Sequence, residues 1–265
     1  MSGERGSAEH IEYVLRLADN ALVLGQRLAE WCGHGPVLEE DIALTNIALD
    51  LIGQARLLLD RAGRLEGKGR GEDELAFLRE VPDFRNATLA ELPNSGVASA
   101  GAAGGDYGVT IVRNLLFGAY QVELWQALAK SADAELAAIA AKSLKEARYH
   151  LRHAADWTIR LADGTEESRA RIERALATLW PYTHELFATD PVEQAVARHG
   201  IGVESASLRT GWLAALAPIA SEAMLALPPD TGFRSTGKLG RHSEHLGFLL
   251  AEMQSLHRQH PGATW

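Results

Sequence analysis

The stretch KEARYHLRHAADW, Lys145 to Trp157, places Glu146, His150 and His153 at spacings of four and three. On a helix that stagger turns side chains to one face, where a carboxylate and two imidazoles could hold a transition metal. Asp50, with Asn46 and Gln54 at four-residue steps on either side, and Glu123 add polar groups to other helical stretches. A di-iron centre in a ferritin-like bundle takes a Glu from each of two core helices and a Glu-x-x-His from each of the other two. That spacing can be checked. No Asp or Glu in the chain has a His three residues later: Asp50 is followed there by Gly53, Glu123 by Gln126 and Glu146 by Tyr149.

The carboxylates stand where ligands would, and the imidazoles do not follow. We therefore read Asp50, Glu123, Glu146, Tyr149 and His150 as a vestigial polar site that binds no metal. Its groups are buried and satisfy one another, because buried charges persist only when paired. No catalytic residue is assigned. On this reading Glu146→Ala destabilises the fold by about 1–3 kcal/mol by leaving a buried partner unpaired. His153 is expected to face solvent or an adjoining subunit. A second pair, His242 and His245, lies at the start of the last helical stretch, outside the bundle helices, and reads as an interface or capping feature. There is no phosphate-cradling loop and no Gly-x-Ser-x-Gly elbow.

These residues need helices to position them, and the apolar pattern is helical almost throughout. Segments 9–31 and 38–64 carry apolar residues at three- and four-residue steps. The second has two stripes, Ile42, Leu49 and Ile52 beside Leu44, Ile47, Leu51 and Leu58, and is expected to be buried on more than one side. Residues 66–105 contain charges, Pro82, Pro93 and the run SGVASAGAAGG, a composition that suits a surface crossover. Segments 106–130 and 134–161 are joined tightly at Ser131 and must run antiparallel. Two hairpins with a long connection predict an all-α, ferritin-like four-helix bundle, extended by C-terminal helices over 166–187, 191–198, 205–227 and 238–260. Residues 1–265 read as a single domain, with Asp190 and Pro191 opening the third-last helix and Pro218 kinking the next.

Composition bounds the partners. Asp plus Glu number 35 against 26 Lys plus Arg, a net charge of -9 that repels nucleic acid and anionic membranes. The start lacks an apolar leader and no stretch reaches the length of a membrane span, so a cytoplasmic protein is expected. Cys32, the one cysteine, reads as a small buried hydrophobe.

Four blocks, residues 16–59, 142–157, 179–187 and 236–254, resemble the PaaC-type subunits of the bacterial phenylacetyl-CoA epoxidase family, also called ring 1,2-phenylacetyl-CoA monooxygenase. The resemblance runs in order from about Tyr13 to Trp265. It implies a noncatalytic structural subunit in a heterooligomeric monooxygenase complex of phenylacetate catabolism. This subunit would pair with the di-iron catalytic subunit PaaA and with other epoxidase subunits. Dioxygen, and electrons from NADPH through a separate flavin and iron-sulfur reductase, would drive epoxidation of the ring, with no cofactor bound by this chain. The resemblance also implies contact with the CoA thioester through Asp83, Phe84, Arg85 and Asn86 and through Gln194, Ala195 and Val196. Two other classes remain open: an independent di-iron oxygenase with an irregular ligand set, and a purely structural or regulatory bundle protein.

Overall fold

A computed structural model describes residues 6–96 and 105–263, and among them every long element is an α-helix. The all-α, ferritin-like class expected from the sequence holds: two long helix hairpins carry most of the helix, and shorter helices follow. The chain divides into two compact units, Met1–Leu92 with Thr236–Trp265, and Pro93–Ser235.

The first unit is built on α1, Ala8–Ala29, and α2, Leu38–Glu66. Ser7 caps α1 through its hydroxyl, which accepts the His10 N–H at 3.2 Å. Gly67, at φ 65°, closes α2 in the left-handed conformation that glycine adopts without steric cost. The pair is antiparallel, with the Gly6 N–H on the Leu65 carbonyl at 3.2 Å. Gly25 lets the two backbones approach: a β-carbon there would stand 3.3 Å from the Ala48 carbonyl oxygen. Val14, Ala18, Leu22 and Leu28 of α1 and Leu44, Ile47, Leu51 and Leu58 of α2 are buried.

The other stripe of α2 differs from expectation. Ile42 and Leu49 are 52% and 61% exposed, together with Leu38, so the helix is buried along one face and leaves an apolar face open. By length and composition alone α2 could also cross a membrane, contrary to the expectation that no stretch is long and apolar enough. Here that apolarity is divided between a hairpin interface and an open face. Cys32, expected inside, is exposed in the turn after α1.

The crossover also departs from expectation. It contains α3, Glu72–Phe77, a 3₁₀ turn at Val81–Asp83 and α4, Thr88–Glu91. Leu75, Phe84, Leu89 and Leu92 are fully buried, so this half of the connection is packed rather than solvated. Most of the Gly/Ala-rich run, residues 97–104, lies outside the described residues.

The last helix, α10, spans Glu244–Gln259 and begins later than expected. Before it, residues 236–243 make a turn around Gly240, at φ 80°, closed by a bridge between Thr236 and Arg241. His242 therefore precedes the helix.

The second unit pairs α5, Tyr107–Leu128, with α6, Ala134–Ala162, each started by an aspartate cap, Asp106 and Asp133. Next comes α7, Glu166–Leu179, which ends where Pro181 cannot continue an α-helical ladder; residues 180–187 tighten into 3₁₀ turns. Further on are α8, Pro191–Arg198, capped by Asp190 as expected, and α9, Arg209–Glu222. An aromatic cluster of Tyr120, Trp180, Phe187 and Trp212 fills the space against α5, and the Trp212 indole N–H reaches the Leu116 carbonyl at 2.9 Å.

α9 stops at Met224, not Leu227. Leu225 and Met224 donate back to the carbonyls of Ala220 and Ser221, the paired bonds that close a helix through a left-handed residue. Met224 holds that position at φ 51°, with its side chain 67% exposed. Met224→Gly should raise unfolding stability by about 1 kcal/mol by relieving the Cβ penalty, seen as a higher urea midpoint at unchanged slope.

Candidate functional site

The residues expected to form a vestigial site are spread over both units: Asp50 lies on α2, and Glu123, Glu146, Tyr149 and His150 lie on α5 and α6. On α6, His150 is buried in line with Ser143, Ala147 and Ala154, and Tyr149 packs edge-on to it at 6.3 Å. Tyr149 itself is 47% exposed with the Arg152 guanidinium over its ring, which corrects its reading as a buried filler. Glu146 lies at the edge of the buried stripe, 16% exposed, and pairs with Lys142 at 3.3 Å. His153 is half-buried rather than solvent-facing.

Glu123 is half-buried at the opening turns of α9: a β-carbon on Gly211 would fall 2.1 Å from its carboxylate oxygen. The missing side chain at 211 is what lets that carboxylate sit where a helix N-terminus favours negative charge. On α2 the expected polar line splits, with Asn46 exposed, Asp50 half-buried and Gln54 buried. Among the described residues no three His, Cys, Asp or Glu side chains are grouped to hold a metal ion. The donors present do not fit a di-iron centre.

A denser constellation lies in the first unit, around residues 79–92. Asp19 of α1 is fully buried and forms an ion pair with Arg79, whose guanidinium also lies 4.3 Å from the centre of the Phe84 ring. The same carboxylate accepts the Arg85 backbone N–H at 2.8 Å, and the neighbouring Asn20 side chain accepts the Ala87 N–H at 2.7 Å. Glu91, fully buried on α4, accepts from the Asn86 amide at 2.8 Å and the Ser243 backbone N–H at 2.6 Å. Its oxygen Oε2 is also 2.7 Å from His242 Nδ1. The other ring nitrogen of His242 is 3.0 Å from the Phe84 carbonyl. A carbonyl only accepts, so Nε2 donates there, and Nδ1 and the Glu91 carboxylate share a further proton between them. Arg27 completes the shell by donating to the backbone carbonyls of Glu91 and His245.

The segment singled out in the sequence is thus held on two sides. Phe84 and Asn86 are fully buried, while Asp83 is exposed and Arg85 half-buried. The Arg85 guanidinium donates to the carbonyls of Pro82 and Phe84, at 2.5 and 2.8 Å. The His242 and His245 pair, read as an interface or cap, is buried; His242 ties the last turn to the crossover. In the second unit, Gln194 is exposed on α8, Ala195 half-buried and Val196 buried. The Glu193 carboxylate turns inward to the Ser205 N–H and hydroxyl, at 2.9 and 2.6 Å.

Sequence reasoning missed Asp19, Asn20, Arg79 and Glu91. The signal that could have found them was the pair Asp19-Asn20 inside an otherwise apolar helical stretch, a position where polar groups need partners. Two truncations separate the two clusters. Asp19→Ala should cost about 3–5 kcal/mol, because it strands the buried Arg79 guanidinium and the Arg85 amide. Glu146→Ala should cost about 1 kcal/mol, the low end of the sequence expectation, because Lys142 is mostly exposed. Chemical denaturation of both variants measures the difference.

Comparison with known proteins adds the lineage to this geometry. The family model PaaA_PaaC, phenylacetic acid catabolic protein, matches residues 1–265. A 1,2-phenylacetyl-CoA epoxidase component of Escherichia coli (strain K12), the third of its lettered subunits, is 47% identical over 253 residues, covering 96% of this chain and 98% of its own. A match along the entire chain, far beyond any short motif, places this all-helical protein in the PaaA_PaaC family of phenylacetic acid catabolic proteins.

Proposed function

We propose that the chain is the noncatalytic structural subunit of a phenylacetyl-CoA epoxidase, pairing with and stabilising the di-iron catalytic subunit PaaA in the cytoplasm. The observation that carries this reading is the 47% identity, sustained over 96% of the chain, to a protein named as a subunit of that epoxidase. Two features of the chain support it. No acidic residue carries a His three positions later, so the bridging and capping ligands of a di-iron bundle have no sequence basis here. The open face of α2 supports the pairing. Leu38, Ile42 and Leu49 line it, and the space above Gly53, one turn beyond Leu49, is empty. An apolar helix face with a glycine notch suits the close approach of another subunit's helix.

In this role the chain supplies shape rather than chemistry. Dioxygen activation belongs to the partner's irons, and electrons arrive from NADPH through the flavin and iron-sulfur reductase. Contact with the CoA thioester would fall to the exposed parts of the proposed segments. Those are Asp83 and Arg85 in the first unit and Gln194 in the second, since Phe84, Asn86 and Val196 are buried and act by holding backbone in place.

Metal analysis and reconstitution test the reading. The isolated chain should hold far less than one iron per polypeptide and show no epoxidation. Mixed with the di-iron subunit, it should form a stable complex and restore turnover with the reductase. About two irons per isolated chain with turnover in the absence of a partner would instead establish the independent oxygenase.

A further inference from the structure

We infer that Glu91 and His242 are positioning residues that set the shape in which residues 83–86 are presented to the CoA thioester, an inference that rests on the thioester contact proposed above. The connection is direct. The Phe84 carbonyl accepts from His242 Nε2 at 3.0 Å and from the Arg85 guanidinium at 2.8 Å. The imidazole and the arginine therefore meet on one oxygen. Losing the imidazole frees the Phe84–Arg85 peptide to rotate and carries the Arg85 head group with it.

The surrounding structure is built to hold that peptide from the His242 side. The side chains of His242 and Glu91 are 1% and 0% exposed. Glu91 receives three donors, from Asn86, Ser243 and His242, so the carboxylate anchors both the segment and the turn that precedes α10. That turn lies flush on the segment. A β-carbon at Gly237 would fall 2.6 Å from the Asn86 carbonyl oxygen, and one at Gly240 would fall 2.6 Å from the Pro82 carbonyl oxygen and 2.8 Å from the Arg85 guanidinium. Across the segment, Asp19 and Asn20 take the N–H groups of Arg85 and Ala87. Apolar packing could hold a short crossover without burying two carboxylates. Fully satisfied polar contacts of this kind specify one backbone geometry.

The test uses the full-length chain reconstituted with its partner subunits and reductase, assayed with phenylacetyl-CoA. His242→Phe, which removes both ring contacts, should raise KM about tenfold with kcat and complex assembly little changed, as expected for lost ground-state binding. His242→Gln, whose amide can still donate to the Phe84 carbonyl, should recover part of that loss. Arg85→Ala should raise KM by itself, and the double variant should add little, because both changes act on one contact. Amide hydrogen exchange at Arg85 and Ala87 should quicken in His242→Phe while α1 and α2 keep their protection. A normal KM for His242→Phe beside a raised KM for Arg85→Ala would overturn the positioning role alone. A normal KM for Arg85→Ala would remove the thioester contact itself, and the positioning role with it. Should His242→Phe fail to fold, His242→Gln carries the test, with an unchanged KM and unchanged exchange at Arg85 counting against the inference.

Discussion

Two carboxylates with no access to water organise the first unit. Asp19 and Glu91 are both fully buried, and a buried carboxylate is tolerable only when donors surround it. Asp19 recruits Arg79 and the Arg85 amide; Glu91 recruits Asn86, His242 and the Ser243 amide. Every one of those donors comes from the crossover or from the turn before α10. The requirement to satisfy two charges on α1 and α4 therefore dictates where the crossover runs and how the C-terminal segment returns to it. Apolar side chains then close over the frame: Phe84 lies under the Arg79 guanidinium, and Leu75, Leu89 and Leu92 fill the space around it.

The long helices were legible because their signals are local. Apolar residues at helical steps mark α1, α2, α5 and α6, and the caps at Ser7, Asp106, Asp133 and Asp190 are written in single residues at the boundaries. Helix ends that depend on backbone detail were less legible. α9 closes through a methionine in a conformation normally left to glycine, and no composition rule anticipates that choice. The stretch after α7 looked helical by periodicity, yet Pro181 withholds the donor that an α-helix needs.

Most of the candidate site could not be read locally. Arg79 finds Asp19 across 60 residues, and His242 finds Glu91 across 151. Such pairs have no characteristic spacing, so charged residues in the crossover looked like solvated ones and His242 looked like a helix cap. The acidic and imidazole groups on α5 and α6 gave the opposite impression. Their spacing suggested a shared site, but Glu123 turns to α9, Tyr149 turns to solvent, and Glu146 pairs with a lysine on its own helix. Helical stagger establishes which side chains share a face; it does not establish that a partner face presents matching ligands.

The same contrast separates the two ways in which this chain would serve an assembly. An open apolar face such as that of α2 is tolerant: Leu38, Ile42 and Leu49 act through area, and modest shifts change little because the hydrophobic effect is non-directional. The Glu91–His242 network is intolerant, since each donor has one acceptor at hydrogen-bond distance and a misplaced peptide leaves a buried charge unsatisfied. A face of the first kind can hold subunits together while its sequence drifts among apolar residues. A segment that must meet one ligand in one geometry needs the second kind, and in the described residues that network closes around 83–86, with Asp83 and part of Arg85 the side chains left at its surface.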